Sequence, residues 1–183
     1  MTDEAEWIQL AREGDQAAFG RLVAAYQTPV YNLAYRMLGS AAEAEDAAQE
    51  AFLRAYIHLK SYDPQRPFST WLFSIASHYC IDQLRRRRIT WLPLEDEFAL
   101  PVRFTSANPG PEATAARREQ QDQMQQLLDV LSPTDRAAIT LHYWYDYSYQ
   151  EIAQTLDLTV SAVKSRLYRA RRALAERMED KAL

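Results

Sequence analysis

The chain of 183 residues is expected to be all-α, two small helical domains joined by a flexible linker, the C-terminal one a helix-turn-helix. Three observations predict this. Glycine is scarce, with 4 in the chain, and β-branched runs are few, so little competes with helix. Helix-start signals recur, each followed by apolar residues at spacings of three and four. Between residues 89 and 112 that periodicity dissolves into Pro93, Pro101 and Asn108-Pro109-Gly110-Pro111, a stretch too long for an ordinary connection inside one compact domain.

The elements follow in order. Asp15 caps a helix that turns Phe19, Leu22, Val23 and Tyr26 inward. Thr28-Pro29 starts a second, with Val30, Leu33, Ala34 and Met37 on its core face and Gly39 as its stop. Ser40 and Glu43 form a capping box that opens a helix of about 20 residues, bearing Ala44, Ala47, Ala51, Phe52, Ala55 and Leu59. The prolines of the segment Ser61 to Pro67 forbid its continuation. A helix from Phe68 to Arg88 keeps Trp71, Leu72, Ile75, Ala76, Tyr79 and Leu84 largely to one side and ends in the run Arg85 to Arg88, closing a first domain over residues 1–88. Residues 89–112 are the linker, with an acidic trio at Glu95, Asp96 and Glu97.

The second domain, residues 113–183, begins with a helix bearing Met124, Leu127, Leu128 and Leu131. Ser132-Pro133 caps the next, which holds Ala137, Ala138, Leu141 and Trp144. Ser148 and Glu151 make another capping box, opening a short helix with Ile152 and Leu156 on one face. After Asp157-Leu158, Thr159 caps a last helix whose core stripe is Val163, Leu167, Ala170, Leu174 and Met178. The opposite meridian carries Ser161, Ser165, Tyr168 and Arg172, flanked by Lys164 and Arg169, and from Val160 to Arg172 there are five cations and no acid. A basic amphipathic helix alone is as often a solvated face as a binding one. The capped support helix and tight turn before it decide for DNA, because this is how a helix-turn-helix presents its recognition helix to the major groove.

Composition limits the rest. A net charge of -4 and a pI near 5.4 do not suit a protein that coats nucleic acid indiscriminately, so a free chain needs a second source of affinity. Cys80 is the only cysteine, which excludes an intramolecular disulfide and a cysteine-rich zinc site and fits a reducing cytosol. His58, His78 and His142 have no metal-ligand spacing, His78 and Cys80 point apart on their helix, and no glycine-rich phosphate loop or nucleophile elbow occurs. No catalytic residue, metal ligand or cofactor is expected, and the chain is read as a non-enzyme. The acidic start and the lack of any apolar run near ~18 residues predict neither signal peptide nor membrane insertion, hence a cytoplasmic protein. An autonomous dimeric helix-turn-helix regulator is the rival reading, but no sustained heptad seam supplies a dimer.

Four strings carry a resemblance over nearly the whole chain: Asp46-Ala47-Ala48-Gln49-Glu50-Ala51-Phe52, Phe68-Ser69-Thr70-Trp71-Leu72-Phe73-Ser74-Ile75-Ala76, Asp82-Gln83-Leu84-Arg85-Arg86, and Val163-Lys164-Ser165-Arg166-Leu167-Tyr168-Arg169-Ala170-Arg171. In that order and spacing the chain resembles bacterial extracytoplasmic-function (group IV) RNA polymerase sigma factors. The resemblance implies a dissociable specificity subunit that brings core RNA polymerase to promoter DNA and helps open it, with an anti-sigma factor as a further partner. The helix from Glu43 to Leu59 is implied to dock on the polymerase clamp through Asp46, Gln49, Glu50 and Leu53. The loop from Asp63 and the helix after it are implied to read the melted −10 element through Gln65, Arg66, Phe68, Ser69, Trp71 and His78, with phosphates on Arg85 and Arg86. Trp71 has core as its alternative fate, and His78 stands where the family commonly has asparagine. The helix-turn-helix is implied to read the −35 duplex through Thr159, Ser161, Lys164, Ser165 and Tyr168, with Arg169 and Arg172 on phosphates. Arg166 serves either a phosphate or an internal ion pair. Asp157 replaces a glycine common in relatives, which puts the turn geometry in question. The acidic linker either threads toward the polymerase active-site channel or is plain disorder.

Overall fold

A computed structural model describes residues 3–90 and 113–182, and all regular structure among them is helical. Of the linker read over residues 89–112, Ile89 and Thr90 instead continue the helix that begins at Phe68, and the rest, with Glu95 to Glu97, lies outside the described residues.

Helix α1 (Asp3–Arg12) was not anticipated from the sequence. Asp3, Glu4 and Glu6 in its first turn and Arg12 in its last suit the helix dipole, and Ile8 and Ala11 are buried. Asp15 caps the next helix as expected, its carboxylate accepting from the amides of Ala17 at 2.8 Å and Ala18 at 3.1 Å. The two helices expected around Thr28-Pro29 are one, α2 (Gln16–Leu38), with Pro29 inside it. Proline forfeits one backbone hydrogen bond. Burial of Leu22 on one side of it and of Val30, Leu33 and Met37 on the other holds both halves to the same core and outweighs that loss. Gly39 ends α2 at φ 76°, its amide donating to Tyr35 O at 2.8 Å.

Ser40 caps α3 (Ala41–His58) by accepting from the Glu43 amide. The reciprocal half of that expected capping box is not made, because the Glu43 carboxylate pairs with Arg87 instead. A 3-10 turn (Leu59–Ser61) leads to the loop, and α4 (Phe68–Thr90) follows. Helices α2, α3 and α4 pack on one another around Leu22, Leu33, Met37, Leu59 and Leu72, with alanines 44, 47, 51 and 55 letting α3 approach closely.

The second group comprises α5 (Ala113–Leu128), α6 (Pro133–Trp144), α7 (Tyr149–Thr155) and α8 (Val160–Ala182). Its core is Leu128, Leu131, Ile139, Leu141, Ile152, Val163, Leu167 and Ala170. Met178, expected on the core stripe of α8, is 60% exposed, because that end of the helix runs past the elements it packs on. The two groups touch: α6 lies against α2 and α4, and α7 lies against α4.

Candidate nucleic-acid and polymerase interfaces

The helix-turn-helix is built by local bonds. Ser148 and Glu151 complete the capping box: the Glu151 carboxylate accepts from the Ser148 amide at 2.8 Å, and Ser148 Oγ accepts from the Glu151 amide at 3.2 Å. Those bonds to the Ser148 amide, then to its hydroxyl, hold the Glu151 carboxyl below its ordinary range. Asp157 takes φ 52°, the left-handed conformation that the common glycine would take, so the turn keeps that shape with a residue type able to enter it. The Leu158 amide closes the turn on Ala153 O at 2.9 Å. Thr159 Oγ1 accepts from the Ala162 amide at 3.1 Å and is thereby occupied as the cap of α8.

On α8, Ser161, Lys164, Ser165, Tyr168, Arg169 and Arg172 are exposed and lie together on the outer face. Arg166 is an internal ion pair: its Nη1 stands 2.8 Å from Asp135 Oδ1, which fastens α8 to α6. Arg169 reaches the same carboxylate only at 3.9 Å and is 60% exposed, so it is available to a phosphate. Arg172 pairs loosely with Glu176 at 3.5 Å. Sequence reasoning passed over Arg171. Its Nη2 lies 3.5 Å from Tyr149 Oη and its Nε donates to Tyr143 Oη at 3.0 Å, and these bonds, to Tyr149 and then to Tyr143, raise its pKa. The result is a cation framed by two phenols beside the start of α7. No short-range pattern predicts that meeting.

The surface expected to read the −10 element is divided. Gln65 and Arg66 are exposed on the loop, where the Gln65 amide donates to Asp63 Oδ1 at 3.0 Å. Phe68 is 3% exposed, packed edge-on against Tyr26 and Tyr62 at 5.5 Å each, so it is core rather than a platform for a base. Trp71 is intermediate, its ring 5.1 Å from Tyr62 and 5.6 Å from Phe68, and so completes that aromatic cluster while one part stays open. Ser69 is half-buried. His78 donates from Nδ1–H to Ser74 O at 2.8 Å, leaving Nε2 3.7 Å from Asp157 Oδ2 in the turn of the helix-turn-helix. Arg85 and Arg86 are exposed at the far end of α4.

On α3, Asp46 and Gln49 are exposed, Leu53 is 54% exposed, and Glu50 is clamped by Arg54 at 2.6 Å. Tyr56 and Ile57 extend the apolar end of this strip, at 42% and 62% exposure. Beside it, a groove of ≈ 390 Å³ between α2 and α3 is lined by Val23, Gln27, Tyr31, Glu45, Gln49 and Phe52. Glu45 and Tyr31 belong to this surface but were not singled out from the sequence. Among the described residues no group of His, Cys, Asp and Glu could hold a metal ion, and no helix is long and apolar enough to cross a membrane.

Two family profiles match: Sigma-70 region 2 over residues 22–89 and Sigma-70, region 4 over residues 121–174. The chain is 37% identical over 179 residues to the ECF RNA polymerase sigma factor SigW of Bacillus subtilis, covering 94% of this chain and 95% of the relative. It is 33% identical to the ECF RNA polymerase sigma-E factor of Escherichia coli K12, covering 98% and 95%. Among solved structures, CnrH in complex with the cytosolic domain of CnrY superposes with a TM-score of 0.73 at 26% identity, covering 98% of this chain and 99% of that one. The sigma factor RpoE in complex with the anti-sigma factor NepR from Bartonella quintana, at 23% identity and a TM-score of 0.64 over 88% and 96%, shares the fold. Region 2 and region 4 thus fall on the two helical groups in chain order, and with relatives this similar along their length the chain belongs to the ECF family of RNA polymerase sigma factors.

Proposed function

We propose that this sigma factor divides promoter recognition between its two helical groups and makes its polymerase contact on a third surface. It directs core RNA polymerase to specific promoters and assists their opening. Residues 1–88 bind core polymerase and handle the −10 element, residues 113–183 read the −35 duplex, and residues 89–112 connect them. The observation that carries the reading is the outer face of α8, where Ser161, Lys164, Ser165, Tyr168, Arg169 and Arg172 are exposed at the start of a helix presented by a capped support helix. Side chains nearest the helix start reach base edges; Arg169 and Arg172, farther along, reach phosphates. Arg171, between its two tyrosines, joins the phosphate set.

The remaining surfaces fit the same division. Exposed Asp46 and Gln49, with Glu50 and Leu53, supply an acidic strip ending in apolar side chains, suited to a basic polymerase surface with an apolar anchor. Gln65, Arg66, Ser69, Trp71 and His78 line the path of the melted −10 strand, and Arg85 and Arg86 hold its phosphates. A chain of net charge -4 gains most of its phosphate contacts from the polymerase it joins. It works in the cytoplasm as an initiation factor rather than a catalyst, and an anti-sigma factor is its natural antagonist.

The test is run-off transcription with bacterial core polymerase on promoter fragments from the source genome. Discrete transcripts that appear only when the protein is added are the expected result. Their absence, with the same polymerase active on another sigma factor, overturns the reading.

A further inference from the structure

One face of α4 is already occupied. Where α4 is assigned the melted strand, it meets α7 and the turns around it: Phe73 packs its ring 4.9 Å from Tyr145 and 6.0 Å from Tyr147, Tyr147 is buried beside Ser69 and Thr70, and His78 faces Asp157 at 3.7 Å. At the other end of α4, Arg88 donates to Leu131 O at 3.0 Å and Arg85 approaches Thr134 Oγ1 at 3.5 Å. A base stacked along this face and a phosphate on Arg85 need atoms that the C-terminal group already engages.

The two groups are held together in an unusual way. Carbonyl oxygens at the C-terminal end of α2 have lone pairs that the helix itself does not use. The C-terminal group takes two of them: Arg136 Nε donates to Arg36 O at 2.8 Å, and Gln125 Nε2 donates at 3.1 Å to Tyr35 O, which also accepts from the Gly39 amide. Arg136 is only 4% exposed, with Asp129 at 2.7 Å and Gln125 as its other partners, and its cationic head sits at the negative end of the α2 dipole. Tyr145 Oη donates to Pro29 O at 2.6 Å, and the Arg36 guanidinium lies 5.0 Å over Trp144. Most of these bonds join side chains to backbone carbonyls that water satisfies equally well once the groups part. Each is therefore an exchange of one partner for another with little net gain, and together they make an interface that is specific yet separable.

We propose that the C-terminal helical group and the melted promoter strand are alternative occupants of the same face of α4, so that the free chain is closed at its −10 surface while its −35 surface stays open. This rests on the assignment of α4 to the −10 element. The asymmetry is the signature: α8 turns its reading face outward, so closure withholds single-stranded DNA and leaves duplex binding nearly untouched. Arg136, Gln125 and Tyr145 are positioning residues of the closed form, none of them in the proposed DNA contacts.

The experiment uses the full chain and three variants, Arg136→Ala, Gln125→Ala and Tyr145→Phe, each checked for native helicity. Small-angle scattering reads closure. Fluorescence anisotropy reads binding to a degenerate single-stranded 12-nucleotide DNA pool and, separately, to a degenerate duplex. The wild type is expected to scatter as a compact particle. The variants are expected to be more extended and to bind the single-stranded pool more tightly, by about tenfold where the open form is roughly a tenth of the wild-type population. Duplex binding should move less than about twofold on the same scale. Should Arg136→Ala fail to fold, Tyr145→Phe, which removes one hydroxyl, carries the test. An extended wild type, or extended variants with unchanged single-strand binding, overturns the proposal. Run-off transcription by the same wild-type preparation separates the two readings: transcripts without the closure effect sink only the competition, and the closure effect without transcripts sinks only the promoter assignment.

Discussion

The faces of α4 and α8 proposed to meet DNA look alike in the sequence and differ in the structure. Both helices carry aromatic, hydroxyl and arginine side chains, and both are expected to touch DNA. On α8 those side chains stand outward and the core stripe of Val163, Leu167 and Ala170 lies opposite them, so one helix separates its stability from its recognition. On α4 the separation fails. Phe68 and Phe73 are buried, Trp71 and Ser69 are half-buried, and His78 faces Asp157 of the other helical group at 3.7 Å. A helix packed on one side can dedicate the other to a ligand, whereas one packed on several sides must share residues between fold and function.

The strongest way to break this contrast is through α8. Lys164→Ala combined with Arg169→Ala should reduce promoter-duplex binding roughly 10- to 100-fold at fixed salt and flatten the salt dependence by about one unit of slope for each phosphate left without its cation. Thermal stability should hardly change, because both side chains are exposed. Promoter binding at the wild-type level would rule out α8 as the duplex reader. Next comes the polymerase surface: Asp46→Ala with Glu50→Ala should weaken core polymerase binding by about tenfold, chiefly through slower association at low salt, and leave duplex affinity of the free chain unchanged. A parallel loss in both assays counts against a dedicated α3 surface.

Arg166→Ala sharpens the comparison from the stability side. Asp135 is 13% exposed and loses its 2.8 Å partner, so the cost should lie between the ~1 kcal/mol of surface pairs and the ~3 kcal/mol of buried ones, read from denaturant midpoints. A DNA defect without a stability loss would return Arg166 to the phosphate set. The smallest effect is expected from Glu151→Gln. The carboxyl is held below its ordinary range in the folded protein, so its contribution is present at neutral pH and lost as pH falls through the folded value. The melting temperature of the variant should therefore lie slightly below that of the wild type at neutral pH, and the gap should close in acid.

What the sequence made legible was local. Capping residues and three-and-four spacing located α3, α4 and α6 to α8, and the outer face of α8 could be read because it depends on one helix alone. The misses involve either weak local signals or distant partners. Helix α1 is short and its acidic first turn reads as charge before it reads as helix, and Pro29 reads as a boundary until the core on both sides of it is known. Phe68 belongs to the binding set by resemblance but is claimed by Tyr26 and Tyr62 from other elements. Arg171 meets Tyr143 and Tyr149 across the fold. The two positions that depart from the family pattern, His78 and Asp157, were legible singly; that they face each other is visible only when both helical groups are in place.

Cys80 offers a practical consequence. It is fully buried, and burial pushes its thiol up to about 12, with Arg87 and Arg136 close enough to pull slightly the other way. At neutral pH it is therefore a protonated, inaccessible sulfur, a poor nucleophile toward maleimides or mild oxidants. A cysteine introduced on the exposed part of the loop or of α8 would be the first to react, so a dye can be attached at a chosen point with the native thiol left in place. The slow labelling of Cys80 that remains then serves as a clock for how often the protein exposes its interior.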